Sequence, residues 1–167
     1  DIDGTMEADA YTLGGASFIK VEGPNFVDSL LIGHATTGTL DNALKNTGVG
    51  IDCLDALTTA DETTAVGYLA GSKVTSSSYS TYIGASAGFS QLTGASNTAI
   101  GRFADYYNTS GGNNVAVGTG ALSGASGQDH TGNTALGQNS LSAVTTGDYN
   151  IGLGRTAGDN ITSGSGN

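Results

Sequence analysis

The chain is short of the residues that most catalytic chemistry and most disulfide-stapled folds draw on. In 167 residues it has one proline, one methionine, one cysteine and no tryptophan. The lone Cys53 excludes an internal disulfide framework and a multi-cysteine metal site. Charged residues make up only 12% of the chain, about half the usual fraction. Five Lys and Arg stand against fifteen Asp and Glu. That balance lacks the basic face that neutralises phosphates, so neither nucleic acid nor an anionic membrane surface is an expected partner. No run approaches the roughly 18–20 apolar residues of a membrane span, so no membrane insertion is expected. No segment reads as a signal peptide.

Acid is also scarce outside one stretch. Asp1, Asp3, Glu7, Asp9, Glu22 and Asp28 fall in the first 28 residues. Beyond them the chain takes its polarity from Ser, Thr, Asn and backbone amides. Opening on Asp1, it reads as a fragment or a processed product.

What is abundant is glycine, 28 residues against a usual share of about 7%, and it recurs at a fixed interval. Gly33, Gly50, Gly67, Gly84, Gly101, Gly118, Gly137 and Gly154 each follow an apolar residue. Every step between them is 17 residues except Gly118 to Gly137, which is 19, with the extra pair within Ser123–Gly132. Asn167 falls 17 after Asn150, at the start of a ninth unit.

The columns of this repeat carry structural information. Ile32, Val49, Val66, Ile83, Ile100, Val117, Leu136 and Leu153 precede the glycines. Two residues earlier comes Leu30 or, in most units, a β-branched residue. Strand side chains alternate, so these two columns share one face. The column between them is mostly small: Gly48, Ala65, Ala99, Ala116, Ala135, Gly152. Three residues past the glycine lies a second small column, Thr36, Cys53, Ala70, Ala87, Ala104, Ala121, Ser140 and Ala157. A looser apolar column follows at Leu40, Leu57, Val74, Ala125, Val144 and Ile161, then turn residues.

A helix does not tolerate glycine this often, and the apolar period is two rather than 3.6. The pattern predicts an all-β, parallel β-solenoid (β-roll) of roughly eight 17-residue coils over residues 29–167. Residues 1–28, outside the repeat, are expected to cap the first coil or form a small adaptor, since an open array end exposes unpaired strand edges. The Ile/Val/Leu column before the glycines is expected to fill the solenoid core. The Ala/Gly column on the opposite face is expected to lie outside, where copies would pack stripe to stripe around an axis, a cyclic trimer being one arrangement that fits.

The repeat resembles the head domains of trimeric autotransporter adhesins in NTAIGRFA at 97–104, NVAVGTGA at 114–121 and NTALGQNS at 133–140. It is more similar to repeats of bacteriophage tail fibres, where NTAIGxxAL units alternate with TTG-like turns, here TTGDYN at 145–150. AYTLGGASFIKV at 10–21 also looks like a segment that recurs in those fibres. The likeness covers about 130 residues of repeat. The 17-residue coil is longer than the coils of most bacterial adhesin heads. The resemblance implies a homotrimer on a virion tail fibre or a cell-surface appendage, hence extracellular, bound to other fibre or virion components and engaged in host attachment.

No constellation of catalytic residues stands out, and the chain does not read as an enzyme. Cys53 sits in a small-residue column and reads as packing. His34 and His130 share no repeat position and read as solvated turn residues rather than metal ligands. Asp52, Asp55, Asp61 and Glu62 lie in one coil and its turn, yet no other coil repeats a carboxylate pair, so they read as surface charge. DIDGTMEAD at 1–9 matches a calcium loop only in part. No cofactor is expected.

Tyr68, Tyr79, Tyr106, Tyr107 and Tyr149 are the candidate recognition residues, in turn or turn-flanking columns where exposed rings can stack on sugars or anchor a protein. Two uses follow. One is a non-catalytic structural shaft that supports attachment to a host surface. The other is a receptor-binding module that recognises a cell-surface glycan or protein through its turns.

Overall fold

The computed structural model describes residues 10–13, 16–23, 26–33 and 40–167. Those residues form one eleven-stranded all-β sheet without a helix. β1 (Ala10–Leu13), β2 (Ala16–Gly23) and β3 (Phe26–Ile32) make an antiparallel meander. β3 then serves two parts of the molecule. Its first half pairs in parallel with β4 (Ala43–Leu44), and its last three residues are the first rung of the array. β3 therefore runs through the boundary expected at 28/29. β2 lies antiparallel along the strand that carries the first rung.

From there the chain winds as a parallel β-solenoid. β5 (Thr47–Val49), β6 (Thr64–Val66), β7 (Thr81–Ile83), β8 (Thr98–Ile100), β9 (Val115–Val117), β10 (Thr134–Leu136) and β11 (Ile151–Leu153) stack in sequence order. Each pairs in register with the next: Ala99 lies over Ala116, and Ala116 over Ala135. The array comprises about seven turns rather than eight coils, because its first rung belongs to the meander.

The strand faces are the reverse of the sequence expectation. Leu31, Ala65, Tyr82, Ala99, Ala116 and Ala135, the middle residue of successive strands, are fully buried. Val49, Val66, Ile83, Ile100, Leu136 and Leu153 face outward, and Ile100 is 37% exposed. Ile32 and Val117 of the same column are half-buried. The cause is the narrowness of the coil. One turn doubles back after a three-residue strand, and the second small column, from Cys53 through Ala70 and Ala87 to Ser140, is also fully buried. Two facing columns this close admit methyl-sized side chains and exclude an Ile. The rest of the lumen is filled by Leu54, Leu57, Val74, Leu122, Leu141 and Val144, with Leu40 and Ile161 packed against them. Ala125 is exposed, displaced by the two extra residues of its coil.

Tyr82 shows how tight the lumen is. It stands in the alanine column and is fully buried. A Cβ on Gly88 would lie 2.2 Å from its ring, and one on Gly71 3.0 Å away. Leu, Asp or Gly fills that column elsewhere, so two adjacent glycines accommodate the ring.

The turn glycines form a stack of their own. Gly50, Gly67, Gly84, Gly101, Gly118, Gly137 and Gly154 have φ between 113° and 143°, and Gly33 has φ 81°. From Gly50 to Gly137 the backbone of successive coils leaves no room for a Cβ, which on Gly50 would lie 2.5 Å from the Gly67 carbonyl oxygen. Other left-handed residues recur two, four and twelve places after the glycine. Phe103, Asp105 and Asn113 of one coil have φ 59°, 50° and 59°. Such residues each cost on the order of 1–2 kcal/mol outside glycine, asparagine and aspartate. The inter-coil hydrogen bonds hold them in place.

Candidate functional site

Three features of the rod bear on function: an outward apolar ladder, a groove lined by aromatic rings, and a polar cluster sealed in the lumen. The ladder is the outer face of β5 to β11. Its columns are Thr47, Thr64, Thr81, Thr98, Val115, Thr134 and Ile151, beside Val49, Val66, Ile83, Ile100, Val117, Leu136 and Leu153. No charged side chain stands in either column. Ile51 and Tyr68 extend the exposed apolar surface past the glycine corner.

The aromatic cluster lies past the glycine corner. Phe89 and Tyr106 occupy equivalent places on adjacent coils and stack at 5.1 Å with an interplanar angle of 8°. Phe103 and Tyr107 meet Tyr106 edge-on at 5.2 Å and 4.6 Å. Lys73 lies over Phe89 and Arg102 over Phe103, at 4.6 Å and 4.0 Å from the ring centres. These contacts fix the rings beside a groove of about 360 Å³ lined by Phe103, Tyr106, Tyr107, Thr119, Gly120, Ser123 and Asn139. Of the five tyrosines singled out from the sequence, Tyr106 and Tyr107 come together here. Tyr68, Tyr79 and Tyr149 are exposed singly, with Tyr149 over the Gly132 backbone.

The third feature contradicts the expectation for His130. It is buried, not solvated, because it occupies a column of Ala, Ser and Gly whose side chains point into the lumen. Its Nε2 lies 3.7 Å from Asp105 Oδ1, too far for a hydrogen bond. Gln91 Nε2 donates to Asp105 Oδ2 at 3.0 Å, and Asn108 Nδ2 to the Gly111 carbonyl at 3.0 Å. Gln91 Oε1, Asp105 Oδ1 and both ring nitrogens of His130 have no hydrogen-bond partner. Burial pushes the Asp105 carboxyl up to about 7, against the pull of Gln91 and Asn108. Burial likewise pushes the His130 imidazole down to about 4, against the attraction of Asp129.

The sign of the resulting pH dependence is definite. Asp105 holds its proton more tightly folded than unfolded, so its neutral form supports the fold at low pH. That support is lost as pH rises from about 4 through about 7. Asp105→Asn removes the loss. We expect the variant to be more stable than the parent at pH 8.5 by on the order of 3 kcal/mol, and nearly equal at pH 4. Denaturant unfolding at the two pH values checks this, and a difference independent of pH would refute it.

The extra residues of the long step are accommodated outside the lumen. Asp129 bridges the gap in the coil-to-coil bonding: its carboxylate accepts from Thr109 N and Oγ1 at 2.9 and 2.6 Å, and from Ser110 N and Oγ at 2.8 and 2.6 Å. Partial burial raises the Asp129 carboxyl, but these bonds outweigh it and hold the group well below the usual carboxylate range.

The remaining sequence candidates serve packing. Cys53 is fully buried and its thiol is pushed up to about 11 by burial, so it stays protonated at neutral pH. Asp61 accepts from Leu44 N at 2.8 Å, and Glu62 pairs with Lys45 at 3.4 Å on the surface. Among the described residues no three His, Cys, Asp or Glu side chains gather as a metal site, and no helix is long and apolar enough to cross a membrane. Asp1 to Asp9, His34 and Thr36 lie outside the described residues.

The sequence reading overlooked a further column as a structural element. Asn46, Thr63, Ser80, Asn97, Asn114, Asn133 and Asn150 are buried, and from Ser80 to Asn150 each side chain accepts from the backbone N–H of the next in a hydrogen-bonded ladder. The Asn97 side-chain oxygen accepts from Asn114 N at 2.9 Å, and its amide donates to the Gly111 carbonyl at 2.9 Å. The signal was the Asn, Ser or Thr that opens each unit. No family model, curated protein or solved structure matches the chain.

Proposed function

We propose that this chain is a non-catalytic structural segment of an extracellular fibre, on a virion tail fibre or a cell-surface appendage. In this reading rods associate side by side as a homotrimer and support attachment to a host surface. The observation that carries it is the outward face from Val49 to Leu153, whose Ile/Val/Leu column is unbroken and whose neighbouring column, mostly threonine, is uncharged. Closing three rods about an axis would cover this face on every copy and leave no apolar edge, which an open heterologous contact would not. The interacting stripe is therefore the Ile/Val/Leu column and not the Ala/Gly column. Larger side chains offer more apolar area per coil, about 25 cal/mol for each Å² removed from water.

The mass of the chain in solution, by light scattering, tests this directly. A mass near three chains is the expected result. Ile83→Lys with Ile100→Lys should reduce it to one chain with the β-sheet circular dichroism retained, because lysine on the outward face does not disturb the lumen. A parent protein that is a folded monomer at high concentration would overturn the trimer.

A second reading, a receptor-binding module, is favoured by one observation. The aromatic cluster and its groove interrupt an otherwise regular wall, where other coils carry Asp55, Ser72, Ser123 or Ser142 in the place of Phe89 and Tyr106. The two readings are compatible, because the groove draws no residue from the ladder.

A further inference from the structure

We propose that the groove at Phe103, Tyr106 and Tyr107 is a subsite for one neutral hexopyranose unit of a surface glycan. This deepens the receptor-binding reading and rests on it. It does not depend on the number of chains in the fibre.

The ring geometry is the first support. Tyr106 stacks on Phe89 and makes T-shaped contacts with Phe103 and Tyr107. The cluster is therefore pre-organised, and a ligand need not order it on binding. A pyranose has one face of C–H bonds and a rim of hydroxyls. It fits a wall that is aromatic on one side and polar on the other. Here the polar side is Thr119, Ser123 and Asn139, carried by the two following coils.

Size and charge narrow the ligand class. A volume of about 360 Å³ lies at the lower end of small-molecule sites and suits one or two sugar rings rather than a folded partner. No charged side chain lines the groove, although the chain has a net charge of −10. Arg102 and Lys73, the cations nearest the cluster, are engaged over phenylalanine rings. An acidic sugar would meet no counter-charge among the lining residues, whereas a neutral sugar needs none.

Gly120 and Asn139 give the groove its depth. A Cβ on Gly120 would lie within contact of the Asn139 side chain. Asn139 has φ 53°, a left-handed conformation that asparagine adopts readily, and lines the groove.

The experiment is a titration of the whole chain with methyl β-D-glucopyranoside, methyl β-D-galactopyranoside and methyl α-D-mannopyranoside, read by two-dimensional NMR. At about 0.3 kcal/mol per non-hydrogen atom, a ligand of this size binds with Kd on the order of 1 mM. We expect at least one glycoside to saturate in that range and to shift Tyr106, Tyr107 and Ser123 signals. Tyr106→Ala should weaken binding at least tenfold, and Asn139→Gly, which keeps the left-handed turn, several-fold. Lys45→Ala, on the surface and outside the groove lining, should bind as the parent does.

The same samples are weighed by light scattering and checked for β-content. A misfolded Tyr106 variant is thereby recognised, and Asn139→Gly then decides. Three outcomes would overturn the proposal: no saturable binding of any of the three up to 50 mM, binding untouched by both groove variants, or equal displacement by cyclohexanol. The last would mark an unspecific apolar cleft. A mass other than three chains would count against the trimer and leave the groove intact.

Discussion

Gly101→Ala is expected to prevent the array from closing and to cost at least about 4 kcal/mol. A Cβ on Gly101 would lie 2.7 Å from both the carbonyl carbon and oxygen of Gly118, and 3.1 Å from Thr119 N. All three atoms are backbone, so no rotamer relieves the overlap. The φ of 127° is itself unfavourable for alanine. The inter-coil bonds on either side, Gly101 N to Ile83 O and Gly118 N to Ile100 O, both 2.7 Å, leave little room to shift.

Gly154 serves as the control. It has φ 113° in the same column, but a Cβ there meets nothing within 4 Å. Gly154→Ala should therefore lose only the backbone contribution, about 1–2 kcal/mol. Thermal unfolding of the two variants separates stacking from conformation. If both cost the same, close approach of the coils is not what requires glycine.

The second large effect lies inside the coil. Asn114 accepts from Asn133 N at 2.9 Å and donates to the His130 carbonyl at 2.8 Å, while its own N–H donates to Asn97 Oδ1 at 2.9 Å. Alanine there strands the Asn133 donor and removes the stronger of the bonds to the His130 carbonyl, in a column water does not reach. A stranded buried group costs about 1–3 kcal/mol, so Asn114→Ala should lose on the order of 4 kcal/mol. Asn114→Ser should lose less, because Ser80 occupies the same column and its hydroxyl accepts from Asn97 N at 3.2 Å. Denaturant unfolding orders the three proteins. A loss below about 1 kcal/mol for the alanine variant would mean the ladder is ornamental.

The period, the strand positions and the turn glycines were legible in the sequence because each depends on local backbone demands. Glycine recurs where only glycine fits, and apolar residues alternate because strand side chains do. Which face is inside was not legible. Alternation identifies two faces but says nothing of the space behind each. The habit of placing Ile and Val in the core fails when a coil is too thin to hold them.

Particular residues would have corrected the assignment. Tyr82 in the alanine column makes sense only beside Gly71 and Gly88, which together mark a shared lumen. The burial of His130 was hidden by the longer step at Gly118–Gly137, which blurs the column it belongs to. The groove was half visible as Tyr106 and Tyr107. Phe103, in the same turn, stands in a different repeat column, and Asn139 joined them only once the coils were stacked, because it comes from a turn two coils later.

The two surplus residues of the long step have a consequence for how such a rod varies in length. The coils on either side of that step keep their pairing, with Ala116 over Ala135, and the surplus is diverted outward. The rod therefore behaves as a ruler graduated in whole turns of about 4.8 Å. Small insertions decorate its side without moving its ends, and reach changes only when an entire turn is gained or lost. Distance and surface chemistry can be adjusted independently on the same chain.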